Sequence, residues 1–233
     1  MASTSPPSPP PPVTPIPPPP AVLRRLIDLD TAVSLRVYTL FQPIIPFPVL
    51  KSLEYSGDGR LFFPIILSGL LATTPLAALA ACPKTPSTLL LINLLIGSLL
   101  DLLIIGLIKH LIQRPRPVYN KHMFLSFSVD HWSFPSGHSS RVFYIATFCF
   151  LYSNQVIEVL LLKYLKFDSE SAIVRYFVVA VGLWAAITSI SRVLLGRHFL
   201  LDVVAGGCLG VLEGVIVLRV LNCDNLNSWI AGH

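Results

Sequence analysis

From residue 61 onward, long apolar runs alternate with short polar interruptions. Five stretches stand out: 61–82, 87–111, 138–162, 173–194 and 199–221. Each, wound as a helix, is about long enough to cross a ~30 Å hydrocarbon core. Connections at 83–86 and 195–198 are short, so the helices they join are antiparallel neighbours. The one long connection runs from 112 to 137, and long loops in compact domains are often functional. No solenoid-type repeat is present. The pattern predicts an all-α, multi-pass transmembrane helical bundle with five long spans.

Upstream of residue 61 the pattern is less regular. Residues 31–50 are apolar but carry Pro43, Pro46 and Pro48. Only about a dozen residues ahead of Pro43 are available for regular helix, whereas a span needs ~20. The segment is therefore read as interfacial, re-entrant or a broken sixth span. Gly57, Asp58 and Gly59 mark a tight turn. Eleven of the chain's 21 prolines fall in residues 1–20, which reads as an extended, disordered tail. The tail lacks the apolar core of a secretory signal. Its Met-Ala-Ser-Thr-Ser start and absence of acids before Asp28 give a faint plastid-transit signal. The expected organisation is a tail at 1–22, a first helical segment at 23–60, the membrane core at 61–222 and a short tail at 223–233.

Composition supports a membrane setting. The chain is 53% hydrophobic and only 12% charged, with a mean hydropathy of +0.70. Soluble domains usually carry about 25% charged residues; charge is costly where a surface faces lipid. The net charge is +5, but the bases lie at the ends of apolar runs, not in a dense stripe, which argues against nucleic acid as a partner. The four cysteines form no CxxC, and a set of free thiols is expected. Asp101 and Glu213 sit deep in apolar runs, where pairing within the bundle is the expected role.

Candidate chemistry is confined to three segments: Lys109 to Pro117 with Arg114 and Arg116, Pro135-Ser136-Gly137-His138, and Ser191-Arg192 followed by His198 and Asp202. Pro115 and Pro117 stop the helix that Lys109 ends, leaving Arg116 on extended chain. A lysine point charge and an arginine fork suit phosphate oxygens. Ser136 is a good helix N-cap, and free amides at a helix start attract anions. His198 and Asp202, at i and i+4, share a helix face, so the carboxylate can fix the ring's tautomer. Each segment alone has an ordinary structural explanation. With the helices alternating, all three emerge on one membrane face. Together they supply what phosphoryl transfer through a histidine needs: cations, a nucleophile, its carboxylate and a proton donor.

These residues resemble the three-part signature of the type 2 phosphatidic acid phosphatase superfamily, which includes the lipid phosphate phosphatases. The pattern is Lys-x6-Arg-Pro, Pro-Ser-Gly-His and Ser-Arg-x5-His-x3-Asp, and the chain fills every position. Within the superfamily the chain is most similar to the polyisoprenoid diphosphate phosphatases, through Leu53-Glu-Tyr-Ser-Gly57, Leu100-Asp101-Leu-Leu, Ser133 to Arg141 and Leu194-Leu-Gly-Arg-His198; plant lipid phosphate phosphatases of the beta type are the group it resembles most. The resemblance implies that His198 attacks phosphorus and forms a phosphohistidine, Asp202 orients it, and His138 protonates the leaving oxygen. It implies that Lys109, Arg116, Arg192, Ser136 and Gly137 hold the phosphate, with Pro117, Pro135, Ser191 and Arg114 in support. It implies no metal and no cofactor. The expected substrates are isoprenoid diphosphates or related lipid phosphates, with phosphatidate or lysophosphatidate as the alternative. A vanadium haloperoxidase-like enzyme and a non-catalytic head-group binder are the readings of another class.

The expected location is the endoplasmic reticulum membrane, with a plastid membrane as the alternative. Which face holds the site depends on residues 31–50. If they do not cross, nine of the non-catalytic Lys and Arg lie on the side of the site and five on the other. Positive charge favours the cytosol, so the site is expected to be cytosolic.

Overall fold

The computed structural model describes residues 20–73, 85–119, 131–157, 170–230 and Gly232. The expected proline tail, the 83–86 connection and the middle of the 112–137 loop fall wholly or largely outside these residues. The described helices are α1 (Ala21–Phe41), α2 (Phe47–Ser56), α3 (Gly59–Thr73), α4 (Pro86–Ile112), α5 (Gly137–Leu151), α6 (Ser153–Ile157), α7 (Glu170–Leu194), α8 (Leu200–Arg219) and α9 (Cys223–Ile230). Among the described residues the only β pairing is an isolated bridge between Pro115 and Trp132. The fold is all-helical, as the sequence predicts.

Among the described residues, three helices are long and apolar enough to cross a membrane: α4, residues Ala172–Leu194 of α7, and α8. Their outer faces carry exposed Leu99, Leu103 and Leu107 on α4, and Val179, Leu183 and Ile187 on α7. Such faces are stable against lipid rather than water. Over its described residues α3 is a shorter apolar helix. The 138–162 stretch differs from the single helix expected: α5 ends at Leu151, and Tyr152 interrupts it before the short α6. Ser153 and Asn154 follow the break, and such residues favour helix boundaries over interiors.

The largest departure lies at the N-terminal end. Instead of a dozen residues of helix before Pro43, α1 runs for 21. The helix starts well before residue 31, because Leu23 to Asp30 continue it without a breaker. It does not lie free on the bundle. Asp30 and Ser34, one turn apart, are buried at 5% and 0% exposure. Ser34 Oγ accepts from the Leu200 amide (2.8 Å) and Asp30 Oδ1 from the Leu201 amide (3.0 Å). Two of the amides that open α8 are thus satisfied by another helix, where the N-cap residue Phe199 has no side-chain acceptor to offer.

The tightest helix pair is α5 with α8. A Cβ at Gly206 would run into the Ser136 carbonyl, and one at Gly210 into the Ser140 carbonyl. Only glycine permits that approach, the small-residue packing found in membrane bundles. Beside it, Tyr144, Phe148, Leu90, Val156 and Val217 form a buried cluster. Tyr144 donates its hydroxyl to the Asn93 and Leu94 carbonyls at 3.1 Å each. The two deep acids pair within the bundle, as expected. Arg141 bonds Asp101 at 3.1 Å, and the Ser140 hydroxyl donates to Glu213 at 3.3 Å. The expectation of free thiols holds for Cys149 and Cys208 but not for Cys223. Cys223, which opens α9 at the end of α8 remote from His198, is disulfide-bonded.

Candidate active site

Three breaks in helical structure build the site. The first is the end of α4. Gln113 takes a left-handed φ of 51°, and Pro115 follows, so Arg114 to Pro117 leave the helix as extended chain. The far end of the long connection returns against this segment. The Ser133 amide donates to the Arg114 carbonyl (2.8 Å), the Ser133 hydroxyl to the Pro115 carbonyl (3.0 Å), and Lys109 Nζ to the Trp132 carbonyl (2.5 Å).

The second break is the turn from α7 to α8. Gly196 has a φ of +68°, and a Cβ there would press on the ring and carbonyl of Tyr119. Glycine is therefore required twice over, by backbone and by space. The Arg197 amide bonds the Arg192 carbonyl at 2.9 Å, which closes the end of α7 and delivers His198 into the interior at 2% exposure.

The third break is the start of α5. Ser136 caps it, accepting from the Ser139 amide at 3.4 Å, while its own amide donates to the Asp202 carbonyl at 2.9 Å. Pro135 follows a cis peptide and is buried. Gly137 then opens the helix at a point where a Cβ would lie 3.3 Å from Ile105 of α4.

The surroundings of His198 define its state. Nδ1 lies 2.7 Å from the Ser133 carbonyl oxygen, which only accepts. Nε2 lies 3.4 Å from Arg116 Nη1, which only donates. The neutral ring therefore carries its proton on Nδ1 and turns the Nε2 lone pair toward Arg116. Burial pushes the imidazole well below its ordinary pKa, and the nearby charges of Arg116, Lys109 and Arg192 push it further the same way. His198 is neutral at physiological pH.

Asp202 stands beside His198 in a different manner from the one the i,i+4 spacing suggests. Its Oδ2 is 3.7 Å from His198 Nδ1, beyond hydrogen-bond range. That oxygen accepts from the Phe199 amide at 2.8 Å, and Oδ1 accepts from Arg114 at 2.7 Å. The acceptor that sets the tautomer is the Ser133 carbonyl, a backbone atom that no motif residue announces. Asp202 stands beside the ring at 3.7 Å without bonding it.

The cations expected to hold phosphate converge on the same place. Arg116 Nη1 also donates to the Arg197 carbonyl (2.7 Å). Arg192 is 2% exposed and its Nη1 bonds Glu54 at 2.6 Å. His138 Nε2 and Arg192 Nε are shielded from solvent without a hydrogen-bond partner, an arrangement that suits an incoming anion. Pro117 is buried next to Arg116. Ser191 does not face this group; its hydroxyl bonds back to the Thr188 carbonyl at 2.6 Å. Glu54 was not singled out from the sequence. Burial works to raise its pKa, but Arg192, Lys51 and Arg197 outweigh burial and hold the carboxyl at about 2. Among the described residues, no three His, Cys, Asp or Glu side chains converge as a metal site.

Comparisons with known proteins agree with this geometry. A family model described as the PAP2 superfamily matches residues 90–224. The chain is 37% identical over 209 residues to a probable lipid phosphate phosphatase beta of Arabidopsis thaliana, covering 86% of this chain and 92% of that one. It is 30% identical over 184 residues to phosphatidylglycerophosphatase B of Bacillus subtilis (strain 168), covering 78% of each. A solved structure of a transmembrane PAP2-type phosphatidylglycerolphosphate phosphatase from Bacillus subtilis superposes with a TM-score of 0.62 at 26% identity, over 83% of this chain and 85% of that one. With the signature residues gathered around one buried histidine and the family match spanning more than half of the sequence, the chain belongs to the PAP2 superfamily.

Proposed function

We propose that this protein is an integral membrane lipid phosphatase that hydrolyses isoprenoid diphosphates through a phosphohistidine, without magnesium. The observation that carries the reading is the His198 tautomer. A histidine held by the Ser133 carbonyl on Nδ1, with its Nε2 lone pair facing a cation, is a nucleophile aimed at an anion.

In this reading the terminal phosphate enters among Lys109, Arg116 and Arg192 and the amides that open α5 at Ser136 and Gly137. Its arrival stabilises a proton on His138. His198 Nε2 attacks phosphorus; the bond from phosphorus to the leaving oxygen breaks, and that oxygen takes the proton from His138. Water then attacks the phosphohistidine, gives a proton to His138, and phosphate leaves as His198 regains its lone pair. Fixed cations take the charge-neutralising part that magnesium plays elsewhere.

The isoprenoid preference rests on the resemblance of the stretches around Glu54, Asp101, Arg141 and Gly196, three of which supply partners in the ion pairs Arg192–Glu54 and Arg141–Asp101. The phosphatase named for the plant relative supports lipid phosphates generally. Phosphatidate as preferred substrate is the second reading, carried by that same likeness. An endoplasmic reticulum membrane suits either substrate class. The test is phosphate release in detergent with magnesium chelated, comparing farnesyl, geranylgeranyl and presqualene diphosphates with phosphatidate and lysophosphatidate. Isoprenoid diphosphates are expected to turn over fastest. Faster release from phosphatidate at equal surface concentration overturns the isoprenoid reading, and no release from any lipid phosphate overturns the phosphatase reading.

A further inference from the structure

Arg114 divides its guanidinium between two buried carboxylates from different helices. Nη1 bonds Asp202 Oδ1 at 2.7 Å, and Nη2 bonds Asp30 Oδ2 at 2.6 Å. The group lies over the Phe199 ring, 4.1 Å from its centre. Asp202 and Asp30 are 0% and 5% exposed. The other Asp30 oxygen is bound by the Leu201 amide at 3.0 Å, and Ser34 closes the corner at 3.3 Å. An unbroken line of charged contacts therefore runs from α1, through Arg114 and Asp202, to within 3.7 Å of His198.

We infer that Asp30 and Arg114 are positioning residues for the nucleophile: they fix how much of the Asp202 charge the His198 ring feels. The inference rests on the phosphatase reading only in naming His198 the nucleophile. A clasp that merely docked α1 would need one carboxylate. Here the guanidinium sits between two, and each changes what the other leaves. Held by Arg114, the Asp202 carboxylate cannot rotate to bring a free oxygen onto Nδ1, which stays on the Ser133 carbonyl. Held by Asp30, Arg114 is half neutralised and does not cancel Asp202. The opposing removals should therefore act in opposite directions. Without Arg114, Asp202 is released toward His198 and the ring holds its proton more tightly. Without Asp30, the full Arg114 charge bears on Asp202 and the ring holds its proton less tightly. The other charged and titratable groups facing His198 are Lys109 of α4, Arg116 after it, Arg192 of α7 and His138 of α5; Tyr38 and Tyr119 face the Asp30–Arg114 pair. None of these is altered by the two substitutions.

The experiment uses the full chain in detergent, with the variants Asp30→Asn, Arg114→Gln, Arg114→Lys and Ser34→Ala. Two quantities are read for each. One is kcat and KM against pH on farnesyl diphosphate. The other, made without substrate, is the pH dependence of His198 carbethoxylation by diethylpyrocarbonate, followed by peptide mass spectrometry, since only the neutral ring reacts. Asp30→Asn is expected to lower kcat about tenfold with KM changed less than about twofold. The His198 midpoint should move down in Asp30→Asn and up in Arg114→Gln, each by at least about 0.5 pH unit. Arg114→Lys should recover part of the shift. Ser34→Ala removes a neutral hydroxyl, with its bonds to the Leu200 amide and Asp30 Oδ1, and leaves every charge in place; it should lower Tm and move the midpoint by less than either charge substitution does. Midpoints that move together, or stay put while the proteins remain folded, overturn the inference and reduce the pair to a structural clasp. Should Asp30→Asn not fold, Arg114→Gln against Arg114→Lys decides by the same midpoint. Absence of phosphate release by the unaltered protein defeats the proposed function, while the carbethoxylation midpoints still judge this inference.

Discussion

His198 is the residue on which the proposed chemistry turns, and three outcomes can be stated for it and its neighbours. His198→Ala should lower turnover by at least ~10³, because phosphate-ester hydrolysis is very slow without a positioned nucleophile; phosphate release under saturating substrate measures it. The pH profile should be bell-shaped. Attack requires neutral His198, whose pKa lies well below 6.5, so the acid limb of kcat/KM belongs below that value. The alkaline limb belongs to kcat, where bound phosphate offsets the burial and cations that depress His138, and marks loss of its donor proton. His138→Gln should impair an alcohol leaving group far more than a nitrophenol, and equal losses would remove His138 from the donor role. Glu54 gives a stability prediction. Its carboxyl drops from an ordinary 4.5 to about 2 on folding. Its contribution is therefore full above pH 4.5 and disappears as pH falls from there through about 2. Glu54→Gln should be less stable than the parent at pH 7, with a difference that narrows in acid, as thermal unfolding against pH would reveal. The signature residues were legible in the sequence because helix ends and prolines fix their spacing. Ser133 and Glu54 were not. One acts through a backbone carbonyl, which any residue carries; the other reaches Arg192 across 138 positions of chain.

At the scale of elements, the closeness of α5 and α8 carries the site. Asp202 lies one turn before Gly206 on α8, and His138 just before Ser140 on α5. Gly210→Val would drive a side chain into the Ser140 backbone. Overpacking of this kind typically costs about 1–3 kcal/mol, and here it would also spread the two histidine-bearing helix starts. A lower Tm with kcat reduced at unchanged optimum pH is the expected outcome. Hydropathy announced α4, α7 and α8 plainly, since a helix that faces lipid is apolar over most of its length. It undersold α1. Five charged residues between Arg24 and Arg36 hide a 21-residue helix from any apolar pattern, and the proline cluster beyond it drew attention to the wrong end. The docking of α1 by Asp30 and Ser34 depends on partners in α8, which lie about 170 positions away and leave no local trace.

The whole molecule gathers the polar groups of the candidate site at one end of a largely apolar bundle. His198, Asp202, Arg114, Arg116 and Lys109 all lie at that end, while α8 carries the chain on for 20 residues, or ~30 Å, in the other direction. A substrate can therefore leave its hydrocarbon in the bilayer and offer only its head group. The disulfide at Cys223 stands beyond the far end of that span. Disulfides persist where the medium is oxidising and are rare in the cytosol. A disulfide at that rim predicts that it faces an oxidising lumen and that the opposite rim, with the cations, faces the cytosol. The same orientation is expected from the Lys and Arg count if residues 31–50 do not cross. An impermeant maleimide should label His131→Cys, an exposed position beside the site, from outside sealed microsomes; labelling only after the vesicles are opened would reverse the orientation. If the orientation holds, the enzyme strips head groups from the cytosolic leaflet alone. A lipid phosphate in the lumenal leaflet would have to flip before this protein could touch it, and the phosphate released would join the soluble pool of the cytosol.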